Sequence, residues 1–124
     1  MKTKLVLIEN IEFVVPEDFK VPYRTIAEFH PCCGAGKGFG EWIVPETIWG
    51  LRISPCCYIH DKSWELAEPT WADFHQTNAM FLTNMLIMIQ ARPSKIPLVN
   101  ALRTYRAATY YNAVSLAGAA GFWT

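Results

Sequence analysis

With 124 residues, 52% of them apolar, the chain holds material for one domain with a modest core and too little for two. Eleven basic and eleven acidic residues cancel, which removes any overall electrostatic drive toward nucleic acid or a strongly anionic partner. The apolar run Leu5 to Ile8 is cut by Glu9 short of signal-peptide length, and Ala113 to Trp123 is too short and too rich in Gly and Ala to span a bilayer, so the chain reads as soluble or at most interfacial.

In chain order, residues 5 to 15 place Glu9-Asn10 as a turn signal between two apolar runs, with Pro16 as the stop; this predicts a short β-hairpin. Residues 16 to 31 hold Pro16, Pro22 and Pro31 without sustained periodicity and read as an irregular arm crossing the surface. A glycine loop follows from Gly34 to Gly40. Lys37 precedes Gly38 rather than a Ser or Thr, so the loop lacks the spacing of a phosphate-cradling P-loop. From Glu41 to Ile53 the chain is rich in Trp, Ile, Val and Leu. This segment reads as a mixture of lipid-facing rim and core cover, with Trp42 or Trp49 exposed.

Ser54 as N-cap and Pro55 at the first helical position predict a helix from Pro55 to Leu66, which Pro69 breaks. Thr70 with Asp73 three residues on resembles a capping box and opens a second helix from Trp71 to Arg92. Trp71, Phe74, Phe81, Met85 and Met88 fall at helical spacing there, and a Met-rich stripe of this kind reads as core. After Pro93 a third helix starts within Ser94 to Pro97, places Leu98, Leu102, Tyr105, Thr109, Asn112 and Leu116 on one face, and ends at Gly118 to Gly121. Arg103 and Arg106 lie off that face, toward solvent or a head group. The plan is a small, mainly α single domain with two or three long antiparallel helices and a minor β-hairpin. Residues 1–31 form hairpin and arm, 32–92 the glycine loop and first two helices, and 93–124 the last helix.

Two stretches carry chemistry. In Pro55-Cys56-Cys57-Tyr58-Ile59-His60-Asp61-Lys62-Ser63-Trp64, adjacent His60 and Asp61 point about 100° apart on a helix, so one can face a reacting bond and the other a metal. Upstream, the glycines of Cys32-Cys33-Gly34-Ala35-Gly36-Lys37-Gly38 let the backbone turn its carbonyls inward. Carbonyls and one carboxylate suit a hard cation such as Ca2+. Adjacent cysteines seldom bridge each other, so any disulfide runs between the pairs Cys32-Cys33 and Cys56-Cys57. Zinc on these cysteines with His30 would lack the usual gap between ligands. His75 reads as a surface or packed histidine.

Together the two stretches resemble the calcium loop and Cys-Cys-x-x-His-Asp helix of the secreted phospholipase A2 superfamily. The likeness is greater to its short phage and bacterial branch, where the His-Asp helix follows a Val-Pro-x-x-x-x-Gly segment, here Val44-Pro45-Glu46-Thr47-Ile48-Trp49-Gly50. The resemblance covers roughly residues 32 to 85 and implies a phospholipase A2-like fold and a peripheral phospholipid membrane surface as partner; with no export signal seen, the expected location is cytoplasmic or phage-associated, with release by another route as the alternative. It implies that His60 is the general base on the water that attacks the sn-2 ester. Asp61 and the carbonyls of Cys32, Gly34 and Gly36 would hold calcium, Cys33 would pair with Cys57, and Asp73 would hold the second ring nitrogen of His60. His60 stands about 9 Å before the end of its helix and Asp73 about 4 Å into the next, less than a turn apart in level.

The chain departs from that pattern at Ser63, usually Cys, and at Trp64, usually a Tyr whose hydroxyl bonds the second Asp. Tyr110 or Tyr111 is the candidate replacement for that hydroxyl. Two other readings stand beside the enzyme: a catalytically silent lipid-binding or phage structural module on the same fold, and a zinc-stabilised binding domain.

Overall fold

The structure, a computed structural model, describes residues 1–29, 47–118 and 122. Strands β1 (Thr3–Ile8) and β2 (Ile11–Pro16) pair antiparallel, with Ile8 opposite Ile11 and Thr3 opposite Pro16. Glu9 and Asn10 make the expected turn with φ of 49° and 64°, the left-handed geometry whose twist matches the flanking strands. Ile11, Phe13 and Val15 of β2 are buried, whereas Leu5 and Leu7 of β1 face solvent.

The arm that follows does more than cross the surface. Phe19 is buried, as are Ile26 and Phe29 of a short 3-10 turn (Ile26–Phe29). Glu28 closes that turn by accepting from the Thr25 N–H at 3.0 Å and its hydroxyl at 2.8 Å. Glu9 ties the arm down: its carboxylate accepts from the Ile26 N–H at 2.7 Å and pairs with Arg92, and these two partners hold it below the usual carboxylate range.

A second small hairpin, β3 (Thr47–Ile48) and β4 (Leu51–Arg52), turns through Trp49 and Gly50 at φ of 47° and 80°. The sequence pattern did not indicate it, because two-residue strands are too short to show alternation. Trp49 is half exposed, in line with the expectation that Trp42 or Trp49 is exposed; Trp42 lies outside the described residues.

Three helices complete the fold: α1 (Ser54–Leu66), α2 (Trp71–Ala91) and α3 (Pro97–Ala117). Ser54, expected as the cap of α1, is its first helical residue, and Ile53 takes the cap position. Thr70 caps α2 as expected, its hydroxyl accepting from the Asp73 N–H at 3.2 Å. At the start of α3 the Asn100 amide accepts from the Ser94 N–H at 2.7 Å and donates to the Ser94 carbonyl at 3.0 Å.

The contacts between helices run in opposite sequence directions. His60 meets Asn78 and Trp64 meets Phe74, while Arg103 meets Arg92 and Phe122 meets Phe74, so neighbouring helices are antiparallel. Helix α2 is the centre of the domain and packs against α1, α3 and β2. Its Phe74, Phe81, Met85 and Met88 are buried, as the Met-rich stripe implies, whereas Trp71 is exposed. A polar pin joins α2 to the sheet: Asn84 accepts from the Val14 N–H and donates to the Val14 carbonyl, both at 2.8 Å.

Helix α3 turns the opposite way from its expected orientation. Leu98, Tyr105 and Leu116, expected inside, are 67, 71 and 85% exposed, and the buried face carries Arg103, Ala107, Tyr110 and Val114. Ala107 is fully buried and small enough to let α3 approach its neighbour closely. Arg103, expected at solvent or a head group, instead lies buried and donates to the Trp49 carbonyl from Nε at 3.2 Å and Nη2 at 3.0 Å. Its Nη1 donates to the Arg92 carbonyl at 3.1 Å. Two backbone carbonyls thus select this face over the larger apolar side chains, because a buried carbonyl without a donor is costly. Among the described residues no helix is long and apolar enough to cross a membrane.

Candidate active site

The buried residues of α1 include Cys56, Cys57, Ile59, His60 and Ser63, of which His60 and Ser63 meet α2. Ser63 settles there by donating its hydroxyl to the Ile59 carbonyl at 2.6 Å, one turn back along its own helix. His60 is only 7% exposed, and its Nε2 lies 2.7 Å from Asn78 Oδ1. An amide oxygen can only accept, so Nε2 carries the hydrogen and Nδ1 keeps the lone pair.

Two rings enclose the imidazole. Phe81 stacks on it, with centroids 4.6 Å apart and planes 22° apart, and Trp64 flanks it at 4.8 Å and 59°. Burial among these rings pushes the His60 pKa down to about 4, against the opposing effect of the Asn78 hydrogen bond. The ring is therefore neutral at pH 7, the form able to accept a proton. Trp64 also packs on Phe74, Phe122 and the backbone of Gly118, where a Cβ would come within 3.0 Å of the indole. Trp64 Nε1 and Asn78 Nδ2 beside His60 are buried without a hydrogen-bond partner, as is Ser115 Oγ on α3.

Asp61, one residue on, is half buried. One carboxylate is the side-chain share of the calcium donor set that the resemblance implies, and Asp61 is a residue of that type beside His60. The carbonyls of Cys32, Gly34 and Gly36, and the residues Cys33 and His30, lie outside the described residues. Among the described residues no group of three or more His, Cys, Asp or Glu is placed to hold a metal.

Comparison of the chain with protein-family models, with curated proteins and with solved structures finds no match. The site is therefore read from its own geometry.

That geometry corrects two expectations. Asp73, expected behind His60, instead accepts from the Glu68 N–H at 2.8 Å and lies 3.5 Å from the N-terminal ammonium of Met1. It serves the α1–α2 connection and the first turn of its helix. Asn78 takes the position behind His60 because it stands about 10 Å into α2, level with a histidine about 9 Å from the end of α1. Neither Tyr110 nor Tyr111 bonds Asp73. Tyr110 belongs to the core, where burial pushes its phenol up, and Tyr111 is half buried.

Sequence reasoning missed Asn78, yet a signal was present. Phe74, Asn78, Phe81, Met85 and Met88 recur at alternating steps of four and three, and an amide on such a stripe needs a buried partner. His75, by contrast, is exposed and stacks on Trp71, a surface histidine as expected.

Cys57 is disulfide-bonded, while Cys56 is free and fully buried, with burial pushing its thiol up. Cys33, the partner the resemblance implies for Cys57, lies outside the described residues. A zinc centre built on the four cysteines would require Cys57 as a thiolate, and its disulfide removes that ligand.

Proposed function

We propose that this chain is a phospholipase A2-like, calcium-dependent hydrolase of the sn-2 ester of phospholipids, acting at a membrane surface. The observation that carries the reading is the arrangement at His60: a neutral imidazole whose Nε2 is held by a side chain of the next helix, beside a half-buried aspartate. In this scheme Nδ1 takes a proton from water as the water oxygen bonds to the ester carbonyl carbon. The bond from that carbon to the glycerol oxygen then breaks, and the proton passes from His60 to the departing oxygen, leaving a fatty acid and a lysophospholipid. Asp61 and the carbonyls of Cys32, Gly34 and Gly36 would hold calcium, which when bound supplies Lewis-acid polarisation of substrate oxygen. Asn78 keeps the imidazole in one tautomer and orientation.

One observation favours the silent lipid-binding module as a second reading. The partner of His60 is an uncharged amide, and a pKa of about 4 makes the imidazole a weak base at neutral pH.

Fatty-acid release from mixed phosphatidylcholine and phosphatidylglycerol vesicles, with calcium or with chelator, separates the two. Calcium-dependent release of the sn-2 chain, lost in both His60→Ala and Asp61→Asn, is the expected result. Folded protein that binds calcium or vesicles without releasing fatty acid selects the silent module.

A further inference from the structure

Charge is distributed unevenly along this neutral chain. All eleven acidic residues fall at or before Asp73, whereas Arg92, Lys95, Arg103 and Arg106 lie in the acid-free stretch beyond it. Arg92 pairs with Glu9 and Arg103 is buried against backbone carbonyls, which leaves Lys95 and Arg106 exposed on or beside α3. The same part of the molecule exposes large apolar side chains. Ile96, Leu98, Tyr105 and Leu116 are all more than half exposed, and the last three lie along the side of α3 opposite its buried Arg103, Ala107, Tyr110 and Val114.

We propose that this outward face of α3, with Lys95 and Arg106, is a docking surface for an anionic lipid bilayer. Arg103 sets the geometry: by donating to the Trp49 and Arg92 carbonyls from the buried side it holds α3 with Leu98, Tyr105 and Leu116 outward. Tyr105 has the amphipathic ring that settles at head-group level, Leu and Ile enter the acyl boundary, and the cations meet lipid phosphate. A helix lying in the plane of the membrane needs this combination and no long apolar run. A second copy of the chain is a poorer occupant, because two such faces would bring Lys95 and Arg106 against their own like charges. The choice of lipid over other anionic partners rests on the phospholipid reading above.

The test measures binding in the His60→Ala background, so the vesicles stay intact and the result does not depend on turnover. Co-sedimentation with vesicles containing phosphatidylglycerol is expected to exceed that with pure phosphatidylcholine and to weaken as salt is raised. Reversing both cations, in Lys95→Glu with Arg106→Glu, is expected to lower the partition constant about tenfold or more. Leu98→Glu with Tyr105→Glu is expected to abolish binding to either vesicle, while circular dichroism shows an unchanged fold because both positions are exposed. Vesicle binding that neither double variant alters overturns the docking face and leaves the hydrolase reading standing. Vesicle binding that follows these variants in a protein releasing no fatty acid keeps the docking face and removes the hydrolase. Concentration-dependent dimerisation in sedimentation equilibrium, abolished by Leu98→Glu with Tyr105→Glu, overturns the proposal in favour of a second copy.

Discussion

Asn78 and Asn84 lie on the same helix, both fully buried, and they are used in opposite ways. Asn84 uses both ends of its amide, accepting from the Val14 N–H and donating to the Val14 carbonyl, so no polar atom on either side is left over. Asn78 offers only its oxygen, to His60, and its Nδ2 stays buried without a partner. One half of α2 is a finished joint between helix and sheet. The other half holds a neutral imidazole and an unsatisfied donor, both unfavourable to bury, side by side. A satisfied joint and an unsatisfied one thus share a single helix, and the unsatisfied one is where His60 is held.

The contrast can be broken by substitution. Asn84→Leu strands the N–H and carbonyl of Val14, and the expected loss is about 3–5 kcal/mol of unfolding free energy in urea titration. Asn78→Leu removes one hydrogen bond but also the orphaned Nδ2, with an expected loss of about 1–2 kcal/mol. Equal losses from the two would show that Asn78 is as structural as Asn84.

A pH series sharpens the same comparison. Because His60 titrates at about 4 in the fold and near 6.5 in the unfolded chain, the unfolded state binds the extra proton between those values. The contribution of His60 is therefore complete above about pH 6.5 and declines as pH falls toward 4, by up to about 3 kcal/mol. Denaturation midpoints measured from pH 7 to pH 4 should show this decline in the wild type, and subtracting the His60→Phe curve should isolate it.

Arg103 offers a third test, away from both asparagines. Arg103→Met leaves the carbonyls of Trp49 and Arg92 without their guanidinium donor, and a loss of about 2–3 kcal/mol is expected, with the Trp49 emission shifted as its turn loosens. An unchanged Tm would mean that the apolar contacts of α3, not this clamp, choose its inward face. The smallest expected stability effect is that of Asn78→Asp. A carboxylate at Nε2 favours the imidazolium, so the NMR titration of His60 should move upward from about 4, by about one to three units. An unmoved titration would indicate that the side chain at position 78 does not hold the ring in solution.

Much of the fold was legible in the sequence because its signals are local. Glu9-Asn10 between apolar runs is a turn in a window of four residues, Thr70 with Asp73 is a cap within one helical turn, and Pro69 and Pro93 interrupt the backbone wherever they stand. His60 was legible as a candidate for the same reason: the Cys-Cys-x-x-His-Asp string is contiguous. The residue behind it was not. Asp73 has the ionised side chain that sequence reasoning favours, but the level of a residue along a helix relative to its neighbour depends on the helix ends and the connection between them, and that level selects Asn78.

By itself, then, the sequence determined the hairpin, the extents of α1 and α2 to within a residue, the Met-rich core stripe, and the candidate pair His60 and Asp61. Each follows from backbone preference or hydrophobic period over a short window. Only the tertiary structure decided which face of α3 turns inward, that Arg103 is a clamp, and that Asn78 and not Asp73 meets the imidazole. Those outcomes depend on the hydrogen-bonding needs of carbonyls and ring nitrogens distant in sequence, to which no local pattern is sensitive.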